Sequence, residues 1–434
     1  MAQPTHEGLV RGIRRWELVA IAVNGIIGAG IFGLPSEVFA RIGSYSLFAF
    51  SACTLVVALI ILCFAEVGSR FSDTGGPYLY AREAFGPLVG FEVGWLIWIA
   101  RLTAFAANCN LLIGYLSFFW PVAGSGAPRA AIITVIVIVI AMVNIAGVRD
   151  AAMVSNFFTI GKLIPLLLFI AIGLFFLQPK NYSLGPAPGY GQFSSACLLL
   201  IYAFSGFEMA IIPAGEARDP RRNAPFALVT AVLVVAVVYI LIQVVCIGTL
   251  PELGASKRPL ADAATNFFGP AGGVIISAGA LVSIAGNLNV ILLAGSRLPF
   301  AMSERLELPR FIGGVHTRFR TPHVSIAITA AAMLAMTLSG TFVYAATISA
   351  IARLLTYVAT CAALPVLRRR ERELPALFRA PAGIAVAFAA LVLCTWLLAN
   401  STLEQARDAA IAAAIGILIY FAFRRPLPPT SRTD

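Results

Sequence analysis

Four ionisable residues sit inside long apolar stretches of the chain: Arg101, Lys162, Glu208 and Arg353. A charge among apolar neighbours is costly, and where it persists a functional role is the default expectation. Lys162 lies in Phe157-Phe158-Thr159-Ile160-Gly161-Lys162-Leu163-Ile164-Pro165, too deep in its stretch for the ammonium to reach water easily. Desolvation lowers a lysine pKa, so this group can release and regain a proton near neutral pH as its surroundings open and close. The other reading is a permanently charged strut bonded to backbone carbonyls. Glu208 can meet an amine, hold a proton or bond to neighbouring groups. Arg101 and Arg353 are expected to pair with carboxylates or carbonyls in a structural role.

Two segments interrupt regular structure. One is Gly25-Ile26-Ile27-Gly28-Ala29-Gly30-Ile31-Phe32-Gly33-Leu34-Pro35; the other is Tyr202-Ala203-Phe204-Ser205-Gly206-Phe207-Glu208, followed by Pro213. A break in a membrane helix frees amide N–H groups beside a half-helix N-terminus, which suits a carboxylate, and frees carbonyls that accept from an ammonium. An α-amino acid carries both groups. The expected substrate-binding residues are therefore Ile27, Gly28, Ala29, Gly30 and Ile31 in the first segment and Phe204, Ser205, Gly206 and Phe207 in the second. Lys162 and Glu208 are the expected coupling or gating residues. Phe204 and Phe207 can cover a substrate or simply pack in the core. The glycines can equally serve close helix packing. What favours a site is that two breaks occur in corresponding places, with Glu208 attached to the second.

The elements that would position these residues follow from composition. Of 434 residues, 59% are hydrophobic and 12% charged, whereas soluble domains carry about 25% charged residues. Such a chain belongs in a bilayer, and only helices or closed barrels satisfy their backbone there. The apolar runs are of helix length and lack the alternation of barrel strands. They span 16–41, 46–69, 88–120, 130–147, 155–177, 195–214, 223–250, 270–300, 322–339, 344–366, 382–399 and 406–423. This predicts an all-α integral membrane protein of about twelve helices, with helices 1 and 6 broken, forming one polytopic domain over residues 1–434.

The net charge of +11 is spread through short connections and forms no single stripe, which speaks for membrane topology and against nucleic acid. With the N-terminus inside, Arg70, Arg82, Arg149, Arg218, Arg221, Arg222, Arg305, Arg310, Arg318, Arg320 and Arg368 to Arg370 fall on the cytoplasmic side. Basic connections stay cytoplasmic, so both termini are expected there. The first apolar run has no small-residue cleavage site and reads as a helix that stays. Six cysteines lie in apolar runs and Cys361 in another with Arg353, without metal-ligand or disulfide spacing.

With these features in view, the chain resembles the amino acid, polyamine and organocation permeases. The resemblance rests on Gly28-Ala29-Gly30-Ile31-Phe32, on Gly75-Gly76-Pro77-Tyr78-Leu79-Tyr80-Ala81-Arg82-Glu83-Ala84-Phe85-Gly86 and on Glu216-Ala217-Arg218-Asp219-Pro220-Arg221-Arg222-Asn223. It extends to Gly295-Ser296-Arg297, Ala301-Met302 and Arg353-Leu354-Leu355-Thr356-Tyr357. It covers nearly the whole chain and implies a LeuT-like five-plus-five inverted repeat. The repeats would be 16–177 and 195–366, with two added helices at 382–423. It places Lys162 where sodium-coupled relatives hold sodium, touching the break of helix 1, so no sodium dependence is expected. It also puts a gating aromatic on the helix 6 segment. Light chains of two-protein exchangers carry an external cysteine between helices 3 and 4. Here Pro121 to Arg129 holds none, so no disulfide-linked heavy chain is expected.

These readings predict a bacterial inner-membrane carrier of amino acids working by alternating access, without a cofactor and with a proton as the possible coupling ion. Proton symport, amino acid exchange and polyamine carriage stay open, as does a non-transporting sensor. An enzyme is not expected: His6, His316 and His323 lie near loops or ends, and no HExxH, nucleophile elbow or phosphate loop occurs. Oligomeric state is unassigned.

Overall fold

The structure, a computed structural model, describes residues 13–71, 75–147, 163–211 and 217–424. Lys162, Pro213 and Glu216 lie outside the described residues. Among the described residues the regular structure is almost entirely helical. Helices α1 (Arg15–Ile26) and α2 (Gly30–Ile42) form one interrupted crossing, and α3 (Ser46–Gly68) and a short α4 (Pro77–Phe85) follow. Next come α5 (Pro87–Leu116), α6 (Gly126–Ala146) and the described part of α7 (Leu163–Phe176). The second interrupted crossing is α8 (Tyr190–Phe204) with the 3-10 turn Phe207–Ala210. Then follow α9 (Pro220–Thr249), α10 (Pro259–Glu304), α11 (His323–Ser339), α12 (Phe342–Arg369), α13 (Gly383–Ala399) and α14 (Leu403–Phe423).

Within the described residues each apolar run expected to cross the membrane overlaps one or two of these helices, and α4 is an extra short one. Eight spans among the described residues are at least 18 residues long and apolar; α11 and α13, at 17 residues, are slightly shorter. At about 1.5 Å per residue such helices still reach across most of a hydrocarbon core of roughly 30 Å. Helix starts follow local rules. Pro77, Pro87, Pro220 and Pro259 occupy first positions, where the missing N–H would lack a helical partner anyway. Thr402 and Gln405 cap α14 reciprocally. Gly269, at φ +70, kinks α10.

Central and peripheral helices differ as a bilayer requires. Helix α5 packs against α12, α10, α11, α4 and α14, while α3 packs against α9, α8, α13 and α12. Both α5 and α8 are largely buried, whereas α6 and α14 expose residues such as Ile138, Met142, Leu418 and Phe421, the surface that acyl chains would cover.

The basic connections gather on one face. Arg221 donates to Ser69 O at 2.8 Å, Arg370 to Glu83 O at 3.0 Å, and the Arg218 amide to Ile13 O at 2.9 Å. Arg82 pairs with Glu307 at 2.8 Å. Glu66 is held by Arg70 at 3.2 Å and Arg368 at 2.7 Å, and Arg70 continues to Glu371 at 2.9 Å. Because Ile13 and the end of α12 both lie here, this is called the terminal face below. The opposite face is joined by Arg41 to Ser195 O, Asn181 to Gly248 O and Trp396 to Tyr190.

Candidate functional site

The two interruptions cross each other at the centre of the bundle. Helix α1 ends at Ile26; residues 27–29 leave the helical path, and α2 resumes at Gly30. Helix α8 ends at Phe204, Ser205 is extended, and Gly206 takes φ +111, a left-handed value that glycine adopts at little cost. There is no room for a side chain at the crossing. A Cβ on Gly206 would run into the Gly25 carbonyl, and one on Gly25 would come within 2.6 Å of the Gly206 oxygen. The carbonyls at the two helix ends share one side-chain partner: the Tyr239 hydroxyl of α9 lies 3.0 Å from Ile26 O, which also accepts from the Gly28 amide at 2.8 Å, and 3.1 Å from Ala203 O.

Around the crossing lies a cavity of about 1060 Å³, whose wall runs from the breaks to Arg318 and Phe319 on the terminal face. Gly28, Ala29, Gly30, Ser205 and Gly206 line it. Toward the other face Tyr115 donates to Phe32 O at 2.7 Å and the Tyr202 ring meets that of Phe342. An aromatic layer thus stands on the side of the breaks away from Arg318 and Phe319.

Polar side chains form a chain along the wall. Asn287 donates to Asn108 at 3.0 Å, and Asn108 donates to the Tyr202 hydroxyl at 2.7 Å. Asn144 donates to Asn289 at 2.9 Å. Ser283, Asn287 and Asn289 of α10 all face the cavity. Gly28 must remain small beside them, since a Cβ there would lie 2.5 Å from the Asn287 amide nitrogen.

Other residues expected at the site are elsewhere. Ile27, Ile31, Phe204 and Phe207 are fully buried and outside the cavity wall. Phe204 packs on Phe50 and Tyr239, and Phe207 on Phe64 and Tyr357. Phe204 lies two residues after Tyr202 within α8, about 200° around its axis, and so faces the interior, while Phe207 follows the turn at Gly206; Tyr202 is the α8 aromatic that meets the cavity.

Glu208 is buried behind the break. It accepts from the Gly206 amide at 3.0 Å, pairs with Arg353 and has the Tyr357 hydroxyl at 3.4 Å. The expected carboxylate partner of Arg353 is thus Glu208. Arg101 differs: its guanidinium meets the Met209 sulfur at 3.4 Å and, among the described residues, no carboxylate. Sequence reading left Asn108 and Met209 unassigned. Asn108 follows Arg101 by seven residues and Ala104 by four, one face of α5 and a periodicity that could have found it. Among the described residues no group of three or more His, Cys, Asp or Glu could hold a metal.

Comparison with known proteins agrees with this architecture. A family model described as amino acid permease matches residues 13–423. The methylthioribose transporter of Bacillus subtilis (strain 168) is 28% identical over 444 residues, covering 98% of this chain and 95% of the relative. The serine/threonine exchanger SteT of the same organism is 28% identical over 438 residues, covering 96% and 98%. Its branched-chain amino acid permease BcaP is 27% identical over 446 residues, covering 96% and 94%.

Proposed function

Since the chain belongs to the amino acid permease family, a family of transporters and not of enzymes, we propose that it moves amino acids across the bacterial inner membrane by alternating access, without sodium. The observation that carries this reading is the crossing of two interrupted helices at a cavity whose described wall runs to Arg318 and Phe319 on the terminal face. The amides of Ala29 and Gly30 would receive the substrate carboxylate, and carbonyls around Ser205 the ammonium. The aromatic layer formed with Tyr202 then closes the far side, so that this is the state open toward the terminal face. Its concentration of arginines makes that face the cytoplasmic one, with both termini there.

The family's inverted repeat would divide the chain at 16–177 and 195–366, leaving 382–423 as added helices. Glu208, tied to Arg353, and Lys162 would couple substrate occupancy to opening. Proton symport is the mode we favour. Exchange is the second reading, supported by the relative that is a serine/threonine exchanger. No disulfide-linked partner is proposed.

Uptake of labelled amino acids into proteoliposomes tests the proposal. Uptake should persist when sodium is replaced by choline and should rise with an inward proton gradient. Uptake that ignores the gradient but requires an internal amino acid would make the protein an exchanger. Binding without uptake or counterflow under any condition would make it a sensor.

A further inference from the structure

The wall of the cavity carries a charge that the helix breaks do not need. Backbone groups at the two breaks can take both ends of an α-amino acid, yet Arg101 also stands there, only 3% exposed. Among the described residues its terminal nitrogens meet only the Met209 thioether, a weak acceptor, and its Nε has no partner. Glu208 is already engaged by Arg353 and the Gly206 amide. Among the described residues four arginines line the cavity, Arg101, Arg297, Arg318 and Arg353, and no aspartate or glutamate does. A buried cation without a counter-charge is costly, and an anion arriving in the cavity would relieve that cost.

Placement suits a ligand anchored at the breaks. Arg101 and Asn108 share a face of α5 two turns apart, about 10 Å along its axis. Asn108 reaches the first break through Asn287 and Gly28, whereas Met209, against which the guanidinium rests, packs beside Gly25. The guanidinium therefore lies between the breaks and the terminal face. Arg297 and Arg318 line the same cavity, where two further cations would draw anions inward.

We infer that the transported amino acid is an acidic one, whose second carboxylate is received by the Arg101 guanidinium while its α-amino and α-carboxylate groups occupy the breaks. The inference rests on the amino acid transport proposed above. A guanidinium holds a carboxylate through two parallel hydrogen bonds, which an ammonium cannot reproduce. Cationic amino acids and polyamines would meet like charge in the same place.

The test is competition and uptake in proteoliposomes containing the full chain. L-glutamate, L-aspartate, L-serine, L-leucine and L-arginine are each offered to the wild type, to Arg101→Lys and to Arg101→Gln. Glutamate or aspartate should be the best substrate of the wild type. Arg101→Gln should lower its uptake at least tenfold, and Arg101→Lys should keep part of it. Wild-type uptake of serine, leucine or arginine against which neither acidic amino acid competes would overturn the inference and leave amino acid transport standing. Acidic uptake unchanged in Arg101→Gln would overturn the role of Arg101. No uptake or competition by any of the five would overturn the inference, and extended to every standard amino acid it would overturn the transport reading too. The wild-type competition needs no variant, so a misfolded Arg101→Gln protein leaves the inference open to refutation.

Discussion

The Gly25 and Gly206 backbones touch so closely that neither residue can carry a Cβ without striking the carbonyl of the other. The contact is backbone against backbone, so no rotamer can relieve it. Gly206→Ala should therefore lose transport and unfold earlier, combining overpacking of about 1–3 kcal/mol with a left-handed backbone costing about 1–2 kcal/mol. Gly43 is a suitable control, since it also has a positive φ, +56, but nothing within 4 Å of its Cβ position. Thermal unfolding followed by size exclusion should place Gly43→Ala between the wild type and Gly206→Ala.

Gly28 meets a different neighbour, the side-chain amide of Asn287. That amide can swing, at the expense of its bond to Asn108. Gly28→Ala should fold with nearly wild-type stability and bind substrate more weakly, about tenfold in apparent affinity for the roughly 1.4 kcal/mol of one lost hydrogen bond. Substrate titration by thermal shift would measure this; unaltered affinity would remove Gly28 from the proposed site.

The Glu208–Arg353 pair is buried on both sides. Removing one partner of such a pair usually costs about 3–5 kcal/mol, because the other is left charged and alone. Arg353→Met should destabilise more than the double variant Glu208→Gln with Arg353→Met, in which neither charge remains. A double-mutant cycle of unfolding free energies measures the difference, and additive effects would mean that the pair does not act as a unit.

Outside the membrane, Glu371 links α12 to the segment before α13. Desolvation raises its pKa, but hydrogen bonds from Arg70, Arg379 and the Ala376 amide outweigh that and hold the carboxyl below its ordinary 4.5. With the folded-state pKa depressed, the stabilisation is fully present above the unfolded value and is lost as pH falls through the folded one. The stability gap between wild type and Glu371→Gln should be constant above about pH 5.5 and close as pH drops below about 4.5. A gap that widens on acidification would contradict this sign.

Lys162 yields a prediction from sequence. Lys162→Ala should abolish proton-driven uptake and leave substrate binding intact. Equal stimulation of both proteins by a pH gradient would refute a coupling role.

How far the sequence could be read depended on what each signal reports. Apolar run length located the crossings among the described residues, because the bilayer fixes that length whatever the partners. Glycine density located both interruptions, because a missing Cβ acts locally. Side-chain direction beyond an interruption was another matter. Helical periodicity carries no information past Gly206, whose φ of +111 turns the chain, and so the direction of Phe207 was hidden; Tyr202 and Phe204, both within α8, lie about 200° apart around its axis, and Tyr202 is the one that met the cavity. Pairing was equally hidden: Glu208 and Arg353 are 145 residues apart, and nothing local connects them.

The Tyr239 hydroxyl, which reaches the carbonyls of Ile26 and Ala203 together, bears on how the centre of the molecule can move. Two loose ends fastened to one phenol have little freedom to shift separately. Displacement of either is transmitted to the other and to α9, so the crossing behaves as a single hinge pin rather than as two independent flaps.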